Sequence, residues 1–379
     1  MTNEQKLLIE IIKSGIVDKS ITIPTLYDKA KLVRLIKKHS LQVLAYVVLK
    51  DNENFVEVVN SLKKEVYKLT IKSTALKVDS VDLIELLGSN GIICVPLKGY
   101  NIRKLYPVED MRFSLDFDCL VKKQQVNLLE KVLEKNEYKY YKKTDMHIEY
   151  LSKRETLLEF HVKLFEDFLP KCFAEEVISE YTTQGKLSGE TEYIIALSHL
   201  ASHFIYGGVG IRNVIDLYLL NKLVDRSVLD AKLEKLNLKK FDNAFTSLAQ
   251  VIFENKQANE FDEKLLNCIF NSSYLGGENS KEKFILALNY EGDLKKAKKK
   301  SFWKKVYPSY REMCNIYPNL KTKKWLLPFY HVARHFSIIF KRSSHLSKVK
   351  EIKEYNQAEI EEIKDILIGL GLDEINRKK

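Results

Sequence analysis

The feature that most constrains this fold is the alternation of apolar and polar side chains between residues 156 and 164. A period of two belongs to a β-strand with one buried face, since successive side chains point to opposite sides of a sheet. Leu158, Phe160, Val162 and Leu164 share one face, and Glu159, His161 and Lys163 share the other. The segment 147–151 precedes this strand across a short polar link, so the two predict a hairpin.

Two further strands are predicted upstream, in a chain whose other segments have helical periodicity. Ile92–Leu97 is short, apolar and rich in β-branched residues, and Ser114–Val121 follows it after a glycine turn. A long helix is predicted over Val56–Leu87, where apolar residues recur at helical spacing.

The order of these segments predicts an α+β fold. A chain of 379 residues is long enough for two or three domains. We expect an N-terminal helical region at 1–90, a small strand-bearing core at 91–188 and a C-terminal all-helical domain at 189–379.

Two aspartates lie one residue apart on the second predicted strand. Asp116 and Asp118 therefore point to the same face, where they repel each other unless a cation lies between them. Glu159 adds a third carboxylate if the hairpin pairs beside this strand. Three carboxylates can hold two divalent cations about 3.5–4 Å apart, as enzymes of phosphate chemistry do. We expect a metal site here, although an isolated Asp-x-Asp is more often a solvated strand face.

A turn at Leu97-Lys98-Gly99 is a candidate for phosphate binding. The backbone N–H groups at the start of the following helix and the helix dipole favour anions. Lys98 and Arg112 would add positive charge. A Lys-Gly turn alone is a weak signal, because a lysine beside a turn is often only a surface residue.

These motifs resemble, in order, those of a family of bacterial nucleotidyltransferases in the DNA polymerase β-like superfamily. The likeness extends over about residues 60–340. The turn here lacks the Gly-Ser of the wider superfamily, and Leu115 stands where the family commonly has glycine. The matching positions are Leu97-Lys98-Gly99, Leu105-Tyr106-Pro107, Arg112, Asp116-Phe117-Asp118, Glu159-Phe160-His161, and downstream His199, His203, Arg212 and Asp216.

The resemblance implies a mixed-sheet catalytic core that binds two Mg²⁺ ions and an NTP, with ATP the expected nucleotide. It implies transfer of a nucleoside monophosphate to an unidentified acceptor, which is a small molecule, an RNA or a protein, with release of pyrophosphate. The metal ligands would be Asp116, Asp118 and Glu159, with Lys98, Gly99, Arg112 and His161 around the nucleotide.

Two alternatives keep the same residues and change the function. The first is a toxin-like enzyme that adds nucleotides to tRNA or AMP to a protein. The second is a catalytically degenerate nucleotide-binding module, against which the three carboxylates argue.

Several polar residues have more than one interpretation. For His161 three roles stay open: it orients Glu159, it contacts a phosphate, or it fills a polar pocket. His199 and His203 lie one helical turn apart, but no acidic partner with metalloprotease spacing follows, so histidines that pack between helices are favoured over zinc ligands. Arg212 and Asp216 have the spacing of a helical ion pair.

The formal charge of +11 favours anionic partners. Lysines cluster at 295–305 around Phe302 and Trp303, a mixture that binds nucleic acid or an anionic membrane surface in some proteins. A solvated charged helix is the favoured interpretation of this cluster.

Neither a secretory leader nor a transmembrane segment is predicted from the pattern of apolar residues. The five cysteines are widely spaced and lack metal-ligand spacing. We therefore expect a reduced, cytoplasmic protein.

Overall fold

The computed structural model describes residues 1–165, 167–205, 207–272, 278–340 and 355–373. Contacts divide the chain into two compact units. The first consists of Met1–Ser202 with Val209–Tyr274, and the second of His203–Gly208 with Leu275–Lys379. The three-domain division made from the sequence stays a prediction.

Four helices open the first unit, and they bury the apolar positions that helical periodicity predicts. The longest, α4, covers the helix expected over Val56–Leu87 and extends it by two residues. Its apolar stripe includes Leu76, Leu83 and Leu87, which are buried against the sheet. The helices are α1 Asn3–Val17, α2 Lys29–Lys38, α3 Gln42–Leu49 and α4 Val56–Ser89.

A five-stranded mixed sheet follows, with the order β1-β2-β5-β4-β3. The central pair, β2 and β5, is parallel, and the other neighbours are antiparallel. The hairpin predicted from the alternating segment is confirmed as β4–β5. The strands are β1 Cys94–Pro96, β2 Asp116–Val121, β3 Lys139–Lys143, β4 His147–Leu151 and β5 Leu157–His161.

One face of the sheet is the core of this unit. Phe117, Cys119, Leu158 and Phe160 point to it and are buried beneath α4 and α6 (Val126–Lys135). The alternation of side chains then places the polar residues of β2 and β5 together on the opposite face.

No strand was predicted at the position of β3. All five residues of Lys139–Lys143 are exposed, so the strand has no buried face and no alternation of apolar and polar side chains. It lies at the edge of the sheet, where lysines discourage pairing with another chain. The strand therefore forms through its pairing with β4 rather than through burial of its own side chains.

Every element after β5 in the described part of the chain is a helix, which confirms the α+β class. The first unit continues with α7 Phe173–Gln184, α8 Gly189–Ile205, α9 Arg212–Asn221, α10 Arg226–Lys235, α11 Lys239–Phe253 and α12 Glu260–Asn271. The second unit contains α13 Glu278–Leu288, α14 Leu294–Val306, α15 Tyr310–Ile316, α16 Leu327–Phe340 and α17 Gln357–Gly369. A short helix, α5, occupies Gly99–Ile102 between β1 and β2. Across the described residues, none of the helices has the length and apolar character to cross a membrane.

Candidate active site

The parallel pairing of β2 with β5 brings two carboxylates side by side. Asp118 is the register partner of Glu159. His161 lies two residues further along β5 on the same face. One donor atom from each of these three side chains lies within 4.8 Å of the other two, a geometry that can hold a metal ion. The predicted convergence of the Asp strand with the hairpin is therefore present in the fold.

Asp116 begins β2 at the exposed end of the same face. Desolvation around its carboxyl group and then the charge of Asp118 raise the pKa of Asp116, although part of the residue is open to solvent. Asp116 is thus electrostatically linked to the buried cluster but lies at its entrance.

His161 is buried and bonded to Asp118. Desolvation, and then the nearby positive charge of Lys98, lower the pKa of His161, so its ring is neutral at pH 7. The Nε2–H donates to Asp118 Oδ1 at 2.6 Å and lies 3.8 Å from Glu159 Oε2. The ring therefore fixes the orientation of Asp118 in this structure.

The carboxyl groups of Asp118 and Glu159 have opposite pKa shifts. Burial alone would raise the pKa of Asp118, but the Lys98 ammonium and the His161 hydrogen bond hold it well below its usual range. Desolvation, followed by the charges of Asp118 and Asp116, raises the pKa of Glu159 to about 7. Negative charge in the cluster thus exceeds what the nearby cations neutralise, and a bound divalent cation would relieve it.

Lys98 supplies the positive charge at this cluster. Its Nζ donates to Asp118 Oδ1 at 2.9 Å and lies 5.3 Å from the centre of the Phe165 ring. Its φ of +46° lies in the left-handed region that favours glycine. Such a conformation costs about 1–3 kcal/mol and is found disproportionately at functional sites. The predicted contact of Lys98 with a phosphate stays a prediction.

Gly99 follows at a point where two side chains approach the backbone closely. A Cβ at this position would lie 2.6 Å from Ser114 Oγ and 2.9 Å from Arg112 Nη1. The absence of a side chain therefore lets the turn after β1 pack directly against the segment that leads into β2.

Arg112 is held by a bidentate ion pair. Its Nε and Nη2 each donate to the carboxylate of Asp216 on α9 at 2.9 Å, and its Nη1 donates to Ser114 Oγ at 3.1 Å. Tyr106 donates its hydroxyl hydrogen to the same carboxylate at 2.7 Å. This buried network anchors the segment before β2 to α9, and the sequence had indicated neither Ser114 nor the Arg112–Asp216 pair.

Arg212 acts on the same segment from α9. Its Nη1 donates to the carbonyl oxygen of Phe113 at 3.2 Å, and its guanidinium lies over the Phe113 ring at 5.4 Å. The two downstream positions singled out in the sequence, Arg212 and Asp216, thus both contact the residues immediately before the Asp-x-Asp strand.

The two histidines of α8 differ in their surroundings. The ring of His199 lies 5.1 Å from that of Phe165, the residue beneath Lys98. His203 belongs to the segment that clusters with the second unit.

A second carboxylate–imidazole pair on β4 was missed. Glu149 is the register partner of Glu159, and His147 donates its Nε2–H to Glu149 Oε1 at 2.7 Å. The rings of His147 and His161 lie 5.4 Å apart. His-x-Glu at 147–149 mirrors Glu-x-His at 159–161, so the polar face of the predicted hairpin was the signal that could have found it.

The site thus combines a glycine turn, an Asp-x-Asp strand and a third carboxylate on a neighbouring strand. Over residues 27–254 the chain matches a family described as uncharacterised nucleotidyltransferase, and it belongs to that family. The match begins earlier and ends earlier than the resemblance seen in the sequence, and it closes at the end of α11. Neither the curated proteins nor the solved structures gave a match. The family prediction is confirmed.

Proposed function

We propose that this protein transfers a nucleoside monophosphate from an NTP to an acceptor, with release of pyrophosphate. The observation that carries the proposal is the register of β2 against β5, which sets Asp118 beside Glu159, with His161 hydrogen-bonded to Asp118. Asp116 extends the same face toward solvent. Membership of a nucleotidyltransferase family supports the general activity.

The donor set fits magnesium better than a softer metal. Asp116, Asp118 and Glu159 offer carboxylate oxygens, which Mg²⁺ prefers, and the cluster has more negative charge than Lys98 neutralises. Mg²⁺ bound there, as two ions, would polarise the phosphate of the NTP and lower the pKa of the acceptor hydroxyl. His161 is proposed to orient Asp118 through its Nε2–H rather than to contact the ion.

Each remaining residue of the site is proposed either to contact the NTP or to position a residue that does. Lys98 and the turn at Gly99 are the proposed contacts for the triphosphate, because they place positive charge and backbone N–H groups beside the carboxylates. Arg112 is proposed to position this turn rather than to bind phosphate, since Asp216 and Ser114 engage its guanidinium.

Glu159 is the proposed proton acceptor for the attacking hydroxyl. Without a metal ion, desolvation and the charges of Asp118 and Asp116 raise the pKa of Glu159 to about 7. A bound Mg²⁺ would lower this pKa and leave the carboxylate ionised, in the form that accepts a proton.

The position of the label in the NTP tests this function. The purified protein is incubated with Mg²⁺ and cell fractions, and with each NTP labelled at either the α- or the γ-phosphate. Nucleotidyl transfer predicts that the α-label enters one fraction and that the γ-label leaves as pyrophosphate. Transfer of the γ-label instead would show a phosphoryl transferase. Binding of the NTP without transfer of either label would show a nucleotide-binding module.

A further inference from the structure

The net positive charge of the chain is concentrated in the stretch 294–340. This stretch contains 10 Lys, 2 Arg and a single acidic residue, Glu312. The rest of the chain has 50 basic and 50 acidic residues, so the stretch accounts for the entire basic surplus. Such segregation concentrates a positive field on one part of a protein, where it attracts an anionic surface.

The same stretch exposes large apolar side chains. Trp325, Phe329 and Val332 are 69%, 66% and 55% exposed, and each lies three or four residues from the next, so they share one face of the helical segment that ends in α16. The opposite side of that segment packs into a small core: Leu326, Leu327 and Tyr330 lie against Met313, Cys314 and Leu320. The helical segment therefore has two apolar stripes: one packs into the small core of the unit, and the other is exposed.

Further aromatic rings join α14 to this surface. Trp303 stacks on Tyr307, with ring centroids 5.7 Å apart, and Tyr307 lies 5.9 Å from His331 on α16. The same two helical segments also carry exposed lysines. On α14 and at the start of the α16 segment they are Lys295, Lys296, Lys299, Lys300, Lys323 and Lys324.

We propose that the second unit binds an anionic lipid membrane through this surface. Trp, Phe and Val exposed together on one helix face suit the boundary between headgroups and acyl chains, and flanking lysines suit anionic headgroups. Lysine outnumbers arginine 10 to 2 in this stretch. Arginine is the preferred residue for bidentate recognition of nucleic-acid phosphates, so the composition favours a membrane over RNA. The proposal is independent of the proposed nucleotidyl transfer.

The chain contains two tryptophans, Trp303 and Trp325, and both lie on this surface. Tryptophan emission of the full-length protein therefore reports directly on it. We expect a blue shift on addition of phosphatidylglycerol–phosphatidylcholine vesicles, quenching by brominated acyl chains, and neither effect with phosphatidylcholine alone. An unchanged emission with anionic vesicles, or the same response to neutral vesicles, would overturn the proposal.

Two variants and two matched controls distinguish binding through this surface from non-specific adsorption to vesicles. Phe329→Ser with Val332→Ser keeps both tryptophans and is expected to weaken vesicle binding on the order of tenfold or more. Tyr67→Ser with Ile71→Ser, an exposed apolar pair one turn apart on α4, should leave binding unchanged.

Reversal of charge gives the second comparison. Lys299→Glu with Lys300→Glu is expected to weaken binding on the order of tenfold or more, and Lys63→Glu with Lys64→Glu on α4 only slightly. Equal losses from surface and control variants would refute the proposed site. If single-stranded RNA quenches the tryptophans and anionic vesicles do not, the partner is a nucleic acid and the membrane proposal is wrong.

Discussion

Asp118 on β2 stands opposite Glu159 on β5 as its register partner in the parallel strand pair. Residues paired in this way on one face of a sheet have neighbouring side chains, so the fold itself forces two carboxylates together. The structure gives the two groups different protonation behaviour: Lys98 and His161 stabilise the charged form of Asp118, whereas at Glu159 desolvation and the charges of Asp118 and Asp116 outweigh the charge of Lys98. This asymmetry predicts how the stability of the protein depends on pH and on Mg²⁺.

The raised pKa of Glu159 predicts a pH dependence of stability in the absence of Mg²⁺. The native protein holds this proton with a pKa of about 7, against 4.5 in the unfolded chain. Stability supplied by the proton is complete below the unfolded pKa and is lost as the pH rises through 7. Glu159→Gln stays neutral at every pH. As the pH rises from 4.5 to about 7, the Tm of the wild type should therefore fall relative to the Tm of the variant. Parallel Tm profiles for the two proteins would contradict the raised pKa.

Mg²⁺ should compete with the same proton. A carboxylate must lose its proton to bind a metal, so Mg²⁺ should raise the Tm of the wild type more above pH 7 than below it. The increase should be much smaller in Asp118→Asn, measured in the same calorimetric scan. An equal increase of Tm in wild type and variant would place the ion elsewhere.

Asp216→Asn is expected to destabilise the first unit by about 3–5 kcal/mol, because it removes the negative charge that the buried Arg112 guanidinium contacts through two nitrogens. Urea unfolding measures this loss. The control is Glu57→Gln, which removes an exposed ion pair with Lys29 and should leave the stability almost unchanged. If Asp216→Asn kept its stability and raised only the KM for NTP, Arg112 would be a phosphate ligand after all.

Gly99→Ala should destabilise the protein by about 1–3 kcal/mol, since its new methyl group overlaps Ser114 Oγ and Arg112 Nη1. Ser114→Ala removes the nearer atom, so the double variant should lose less stability than the two single losses together. Strict additivity would mean that the turn does not pack as described. Gly88→Ala on α4 is the control, because a methyl group there meets nothing within 4 Å. It should be neutral or stabilising.

Local patterns predicted most of this site, whereas contacts between distant segments could not be read from them. The period of two at 156–164 identified β5 and its polar face, and two aspartates one residue apart identified the other half of the cluster. The edge strand β3 was missed because Lys139–Lys143 bury nothing. The pairing of Arg112 with Asp216 was missed because each residue has a plausible local interpretation, and only the packing of α9 brings them together.

The most direct test of the central claim is the Mg²⁺-dependent release of pyrophosphate from NTP by wild type and Asp118→Asn, with Asp51→Asn as the control for an exposed aspartate. The assay contains the cell fraction that became labelled with NTP carrying the label at its α-phosphate. Loss of the Asp118 carboxylate should lower the rate by more than about 100-fold, because several kcal/mol of transition-state stabilisation depend on it. Asp51→Asn should keep the wild-type rate, and circular dichroism should show all three proteins folded. Full Mg²⁺-dependent turnover by folded Asp118→Asn would contradict the account.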